Sequence, residues 1–412
     1  MKNPLIDMKN PWPEIRRKRI NELLPKAMEY ADVDTWVIIC RENANDPLAK
    51  HVGGENAGRP LAILFEKKDK EVHSVAFSPW GEVVGLRDMA VHKEIIALED
   101  PSTIYDDLAA RLRQINPKNI ALNSAEKNIA DGLSYTQRQD IEKALGSDLS
   151  SKIISAESLV SEWLSIKTEE EVEIMRQAGE LTVKIQLDAY SKIIPGKTTD
   201  AEVASYIRKK MDELKVGDAW SENHNPAVNS GVARGHAGAS DKVINYGDFI
   251  QTDFGIKVFD TWCTDYQRFA YVLPKGKTKV PEEDLFKWEV AVKGHRIALA
   301  AMKPGVSGYE VDSAQREWMK ESGSKQVRWG TGHPVGFFAH DIGPALTGGQ
   351  RDVPPKDSLR LLRPGQTFAF DGFFAWDTPE GERLISVEEM AVVTESGAKY
   401  LIKPQDDLFL IK

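Results

Sequence analysis

Asp253 and Asp265, twelve residues apart, each sit in a strand-like stretch, DFIQTDFG and TWCTDYQRFAYVL. The segment between them, GIKVFD, suits a hairpin connection, which brings both carboxylates onto neighbouring strands within reach of shared cations. Asp260, inside that loop, reads as a turn residue. The stretch GTGHPVGFFAHDIG (330–343) places His333 and His340 seven residues apart, among glycines that let backbone approach a ligand closely. His333 is a candidate metal ligand there, and His340 a candidate proton donor or oxyanion stabiliser. FAFDGFF ends an apolar strand on Asp371, and a buried carboxylate is costly unless it is paired or coordinated. In ISVEEMAVV (385–393) side chains alternate, so Glu388 is assigned to the inside and Glu389 to solvent or a partner. His236, on the Gly-rich loop NSGVARGHAGASD (229–241), is a further candidate to face a substrate. Oxygen and imidazole donors without soft sulfur suit manganese, cobalt, zinc or ferrous iron, and the chemistry such a set serves is metal-assisted hydrolysis.

Residues placed like this need paired strands to hold them, and a weak internal duplication predicts where those strands lie. IIPGKTTDAEV (193–203) resembles AMKPGVSGYEV (301–311): each is a helix end, a Pro-Gly turn and a newly capped helix. NYGDFIQTD (245–253) resembles RPGQTFAFD (363–371), each with a glycine six residues before an aspartate and an apolar extended stretch between. The second part of the chain therefore reads as two α-α-β-β halves related by a pseudo-two-fold axis. Asp253 and Asp371 take comparable positions in the two halves and face one another.

The first part of the chain reads differently. Residues 13–31 read as a helix, TWVIIC (35–40) as a buried strand, and PLAILFEKK and EVHSVAFSP as two more strands. TIYDDLAARLRQI (103–115) is helical and NIALN (119–123) a strand, an alternation that predicts a small α/β domain. Thr168 and Glu171 form a capping-box pattern opening a long helix that stops near Pro195–Gly196. The expected domains are thus residues 1–165 and 166–412, with every candidate site residue in the second. Trp36, Asn43, His51 and GGENAG (53–58) are candidate lid or substrate-end residues.

Bulk properties bound the function classes. A chain of 412 residues exceeds one ordinary core, and 41% hydrophobic with 28% charged residues is a soluble globular mix. A net charge of -9 without a basic block argues against nucleic acid or an anionic membrane as partner. No apolar run reaches the ~18 residues of a membrane span. The leading MKNPLIDMKNPWPE has no apolar signal region, so a cytoplasmic location is expected. The two cysteines, Cys40 and Cys263, form no CxxC pair and suggest buried side chains rather than a disulfide or thiolate site.

The order Asp253, Asp265, His333, Asp371, Glu388 resembles that of the pita-bread metallopeptidases, which include aminopeptidase P, prolidase and methionine aminopeptidase. The resemblance covers about residues 165–412. The leading domain is similar to the creatinase-like N-terminal α/β domain of the aminopeptidase P and prolidase branch. By this resemblance Asp253 binds one metal, Asp265 and Glu388 bridge two, and His333 and Asp371 share the other. The implied cofactor is a pair of divalent cations, manganese foremost and cobalt, zinc or iron otherwise, or one cation alone. His236 and His340 correspond to the two histidines that contact substrate and stabilise the tetrahedral intermediate, with Glu388 completing the catalytic set. The fold expected is an α/β domain followed by an α+β pita-bread domain. The activity expected is that of a proline-specific Xaa-Pro aminopeptidase or dipeptidase, cleaving an X-Pro bond of a small peptide with a metal-bridged hydroxide, in a homodimer.

Four departures from the family pattern stand out. The Asp253–Asp265 spacing is one residue longer than usual. Pro334 follows His333 where glycine is usual, and Asp371 is one methylene shorter than the family's glutamate. Ser386 stands where proline-specific relatives often carry a substrate-reading arginine, and Arg383 is near in sequence but out of register. These departures keep two alternatives: a non-peptidase C–N hydrolase of a small metabolite, creatinase- or ectoine-hydrolase-like, and a non-catalytic binding protein.

Overall fold

The structure is a computed structural model that describes residues 1–232, 235 and 237–412. It contains two compact units: Asn10–Leu164, and Ser165–Lys412 together with Met1–Lys9. The leading residues join the second unit through local anchors, among them the Asn3 side-chain amide donating to Leu214 O at 2.9 Å.

In the unit Asn10–Leu164, a helical stretch runs from Trp12 to Tyr30 and widens to a π turn over Arg19–Leu23. The strands are β1 (Thr35–Cys40), β2 (Leu61–Lys68), β3 (Glu71–Pro79), β4 (Glu94–Leu98), β5 (Ile120–Leu122) and β6 (Ile153–Ser155). They form one mixed sheet in the order β4-β3-β2-β1-β5-β6. Every residue of β1 is buried, which is why TWVIIC reads as an unbroken apolar run. The helices Ile104–Ile115 and Tyr135–Ser150 cover the sheet with Leu108, Leu112, Ile141 and Leu145 against Val37, Ile39 and Leu64. Trp36 is fully buried and donates Nε1–H to Asn123 Oδ1 at 2.8 Å. The His51 ring packs edge-on against Trp12 and Trp163. Both are interior residues of this unit, so the lid role considered for them is replaced by packing. Cys40 and Cys263 are both buried and free.

The second unit repeats one pattern twice. The helices Glu169–Tyr190 and Asp200–Leu214 precede the strands of the first half, and Glu282–Ala301 and Gly308–Glu321 precede those of the second. Thr199 with Glu202, and Ser307 with Glu310, form equivalent capping boxes. The first long helix ends at Tyr190, short of Pro195, because Lys192 and Ile193 turn their N–H groups back to Ala189 O and Tyr190 O.

The strands of the first half are β7 (Gly217–Asp218), β8 (Ala227–Ser230), β9 (Phe249–Phe254), β10 (Ile256–Val258), β11 (Trp262–Cys263) and β12 (Tyr266–Val272). Those of the second are β13 (Gly332–Pro334), β14 (Thr367–Phe370), β15 (Phe374–Thr378), β16 (Gly381–Ile385), β17 (Glu389–Thr394), β18 (Gly397–Tyr400) and β19 (Phe409–Ile411). Two four-stranded sheets result, β19-β12-β9-β8 and β13-β14-β17-β18. β9 runs antiparallel to β12, and β14 antiparallel to β17. Gly247 and Gly365 lead into β9 and β14 with φ of 87° and 88°, a left-handed conformation that favours glycine. The matching glycines mark the same turn used twice. Among the described residues the two sheets meet at the bridge of Gln267 opposite Glu388, which puts the two halves' carboxylates side by side. This is the α+β architecture with pseudo-two-fold α-α-β-β halves that the duplication predicts. Among the described residues no helix is long and apolar enough to cross a membrane.

Candidate metal centre

Asp253 lies on β9, opposite Ala227 of β8 and Gln267 of β12. The chain turns back through Phe259 and Asp260, both at positive φ, so Asp260 is the turn residue the sequence suggests. Asp265 follows β11 and is buried, as is Glu388 immediately before β17. Donor atoms of Asp253, Asp265 and Glu388 lie within 4.8 Å of one another, and so do those of Asp265, His333 and His340. Asp265 is the residue common to both groups.

His333 is carried on β13, whose close approach to β14 depends on its neighbour. A Cβ on Gly332 would lie 2.5 Å from Ala369 O, so only glycine fits. The His333 Nδ1–H donates to Pro334 O at 3.2 Å, since a carbonyl can only accept. Nε2 faces Asp265 Oδ2 and Glu388 Oε1, each at 3.8 Å. His340 is exposed, and its ring centroid lies 4.2 Å from that of His333.

Asp371, at the end of β14, is held through its backbone. Its N–H donates to Thr331 O at 2.8 Å, and Gln315 Nε2 donates to Asp371 O at 3.1 Å. His295, fully buried, donates Nε2–H to Phe370 O and accepts from Tyr400 at Nδ1, both at 2.9 Å. Burial pushes the His295 pKa down to about 3, so this ring stays neutral and its two roles stay fixed. Asp312 steadies the neighbouring loop by accepting from Thr331 N–H, Thr331 Oγ1–H and Gly349 N–H.

The charge arrangement is costly as it stands. Burial, and then Asp253 and Asp371, push the Asp265 carboxyl well above the ordinary carboxylate range. Burial, and then Asp265, Asp253 and Asp371, do the same to Glu388. The buried Glu388 Oε2 has no hydrogen-bond partner among the described residues. Clustered carboxylates, an orphaned carboxylate oxygen and an imidazole nitrogen facing two carboxylates form a set that divalent cations satisfy. Asp253, Asp265, His333, Asp371 and Glu388 therefore fit such a cofactor chemically.

Glu389 departs from expectation. It is fully buried, and its Oε2 accepts from Arg268 Nη2 at 2.9 Å while its Oε1 accepts from Gln405 N–H at 2.7 Å. Consecutive residues Glu389, Met390 and Ala391 of β17 are all fully buried, so both faces of the strand are covered at this end, and the alternation that turns Glu388 to the site sends Glu389 to a second buried position. Arg383 is also clear of the site: its guanidinium lies 4.9 Å from the Phe249 ring centroid. His236 lies outside the described residues.

The loop bearing His340 is pinned by a buried ion pair between Lys167 and Asp341, 3.4 Å apart with side chains 1% and 0% exposed. Lys167→Met leaves a buried aspartate charge without its cation, and the expected loss is about 3 kcal/mol of stability. Urea unfolding checks this. Adding Asp341→Asn to Lys167→Met recovers part of the loss if the pair is its cause.

The centre floors a cavity of about 460 Å³. Its walls include Trp220, His224, Trp329 and Phe373, the last two in contact with centroids 4.8 Å apart and their planes tilted by 36°. None of these four is evident from sequence, because no spacing pattern links 220–224 to 329 and 373. Gln267 also lines the cavity and carries a usable signal: it is two residues beyond Asp265, at the second position of β12.

Residues 173–395 match metallopeptidase family M24. Among relatives, a Xaa-Pro dipeptidase of Pyrococcus furiosus is 27% identical over 296 residues, 70% of this chain and 77% of that protein. A putative dipeptidase, YkvY, of Bacillus subtilis is 24% identical over 355 residues, 85% of this chain and 89% of that protein. Among solved structures, an X-Pro aminopeptidase from Thermotoga maritima superposes with a TM-score of 0.68 at 23% identity, covering 94% of this chain and all of the other. The dipeptidase PepE of Mycobacterium ulcerans gives a TM-score of 0.70 at 20% identity, covering 97% of this chain and 98% of the other. These structures share the pita-bread fold with this chain.

Proposed function

The chain belongs to metallopeptidase family M24, and from that membership we propose that it cleaves X-Pro peptide bonds near the N-terminus of small peptides, as a Xaa-Pro aminopeptidase or dipeptidase. The observation that carries this reading is the convergence of Asp253, Asp265 and Glu388 with His333, with Glu388 Oε2 buried and unpartnered among the described residues. Asp253, Asp265, His333, Asp371 and Glu388 would hold two divalent cations, manganese first. When bound, such cations supply Lewis acidity toward a carbonyl and bring the pKa of water to about 7. His340, exposed beside His333 and lining the cavity, donates a hydrogen bond to the oxygen that gains charge as the carbonyl is attacked. His236, by family resemblance, contacts the substrate. A cage carboxylate, Asp371 or Glu388, carries the proton to the leaving amine. Trp329 and Phe373, packed against each other with tilted rings, offer an apolar wall for the pyrrolidine ring. The same reading carries a cytoplasmic homodimer.

The test is an assay of chelator-stripped chain, reloaded with Mn²⁺ or Co²⁺, on X-Pro dipeptides, X-Pro-Y tripeptides and matched X-Ala peptides. Metal-dependent turnover of the proline set, roughly tenfold or more above the alanine set, is expected. Absence of metal-dependent turnover on either proline set overturns the reading. One observation favours a second reading, hydrolysis of a C–N bond in a small non-peptide metabolite. Ser386 is buried and donates to Gln267 Oε1 at 2.5 Å, so this position offers a peptide no guanidinium. Turnover of amide or amidine metabolites without peptide turnover would select it.

A further inference from the structure

Gln267 stands where the two halves of the second unit touch, at the bridge opposite Glu388. Its side chain is 1% exposed for the residue as a whole, yet its amide reaches the cavity. The amide oxygen is taken: Oε1 accepts from Gln251 Nε2 at 2.5 Å and from Ser386 Oγ at 2.5 Å. Gln251 Nε2 also donates to Ser386 Oγ at 3.0 Å, closing a three-residue network behind the site. With the oxygen held from behind, the NH₂ group must face forward. There Nε2 lies 3.5 Å from Asp253 Oδ2 and 3.4 Å from Asp371 Oδ2. One amide nitrogen, with two hydrogens, thus spans a carboxylate from each half.

We propose that Gln267 is a positioning residue of the metal centre, which spaces Asp253 and Asp371 so that they can share the work of holding cations. The proposal rests on the metal-centre reading above. Two facing carboxylates repel, and Asp371 has turned Oδ1 to its own neighbour, accepting from Gly372 N–H at 2.6 Å. A lysine or arginine between them would supply the positive charge that a cation brings, and so compete with it. A neutral amide gives each carboxylate a hydrogen without cancelling either charge. The anchoring by Gln251 and Ser386 supplies the rigidity, since a partner beyond the ligands fixes their orientation only when it is itself held.

The experiment is titration of Mn²⁺ into the chelator-stripped full chain, followed calorimetrically, for the parent, Gln267→Ala and Ser386→Ala, with thermal unfolding of each stripped form. In Gln267→Ala, cation affinity at the weaker-binding position is expected to fall roughly 10- to 100-fold. Ser386→Ala, which leaves every group at the cavity in place but frees the Gln267 oxygen, is expected to lose affinity in the same direction by a smaller factor. A residue that only packs would lower the unfolding temperature and leave affinity unchanged. Affinities within twofold of the parent in a folded Gln267→Ala overturn the proposal alone. If Gln267→Ala does not fold, parental affinity in Ser386→Ala overturns it. A parent chain that takes up no cation overturns both the proposal and the metal-centre reading.

Discussion

Asp265→Asn is expected to lower metal-dependent turnover by about three orders of magnitude while making the stripped chain no less stable. The two halves of this result come from the same feature. Asp265 is the residue common to both groups of close donor atoms, so its loss removes a ligand from each cation position at once. Cation assistance is worth several kcal/mol, and each 1.36 kcal/mol is tenfold in rate, which gives roughly 10³-fold. In the stripped chain the same carboxyl is an electrostatic burden, pushed up by burial and by Asp253 and Asp371. An isosteric amide keeps the shape and removes that burden. Steady-state kinetics at saturating Mn²⁺, with melting curves of both stripped proteins, give the two readings together. Turnover within tenfold of the parent would show that Asp265 does not serve both positions.

The second large effect concerns cations, pH and stability. Asp265 and Glu388 have folded-state pKa values raised well above their ordinary values of about 3.8 and 4.5. Below those ordinary values both groups are protonated in the folded and unfolded chain, and neither penalises the fold. As pH rises past the ordinary values and through the raised ones, the stripped fold must give up protons that it binds more tightly than the unfolded chain does. Its stability from these two groups falls accordingly. Cations reverse the sign by taking the place of those protons. A cation at about 100 times its dissociation constant contributes roughly 2.7 kcal/mol, and at 2–4 °C per kcal/mol this is a rise of about 5–10 °C. The rise is expected to be larger at pH 8 than at pH 5.5, with protons released on binding. Melting curves with and without Mn²⁺ across this range check it, and a cation effect that shrinks with pH would contradict the assignment.

Much of the second unit could be read from residue spacing because its devices are local. The glycine six residues before Asp253 and before Asp371 marks two copies of one turn, and the structure gives both glycines nearly the same φ. The capping pairs Thr168–Glu171, Thr199–Glu202 and Ser307–Glu310 lie three residues apart, where a single helical turn decides them. The hairpin joining Asp253 to Asp265 is likewise a short-range matter. What escaped sequence reading depends on long-range partners. Arg268 and Glu389 are 121 residues apart and reveal themselves as a buried pair only when β12 and β17 are brought together. Gln251, Gln267 and Ser386 form a network across both halves, and a polar residue in an apolar strand does not announce its partner. Trp36 and His51 were misread for the complementary reason: Trp and His suit both a core and a ligand site, and burial, which decides between them, belongs to the fold.

The measurement that bears most directly on the central claim is anomalous scattering at the manganese edge from crystals of the chain grown with saturating Mn²⁺. The account predicts anomalous density enclosed by Asp253, Asp265, His333, Asp371 and Glu388, with metal–donor distances of ~2.0–2.2 Å. Saturated crystals with no anomalous density inside that cage would contradict it.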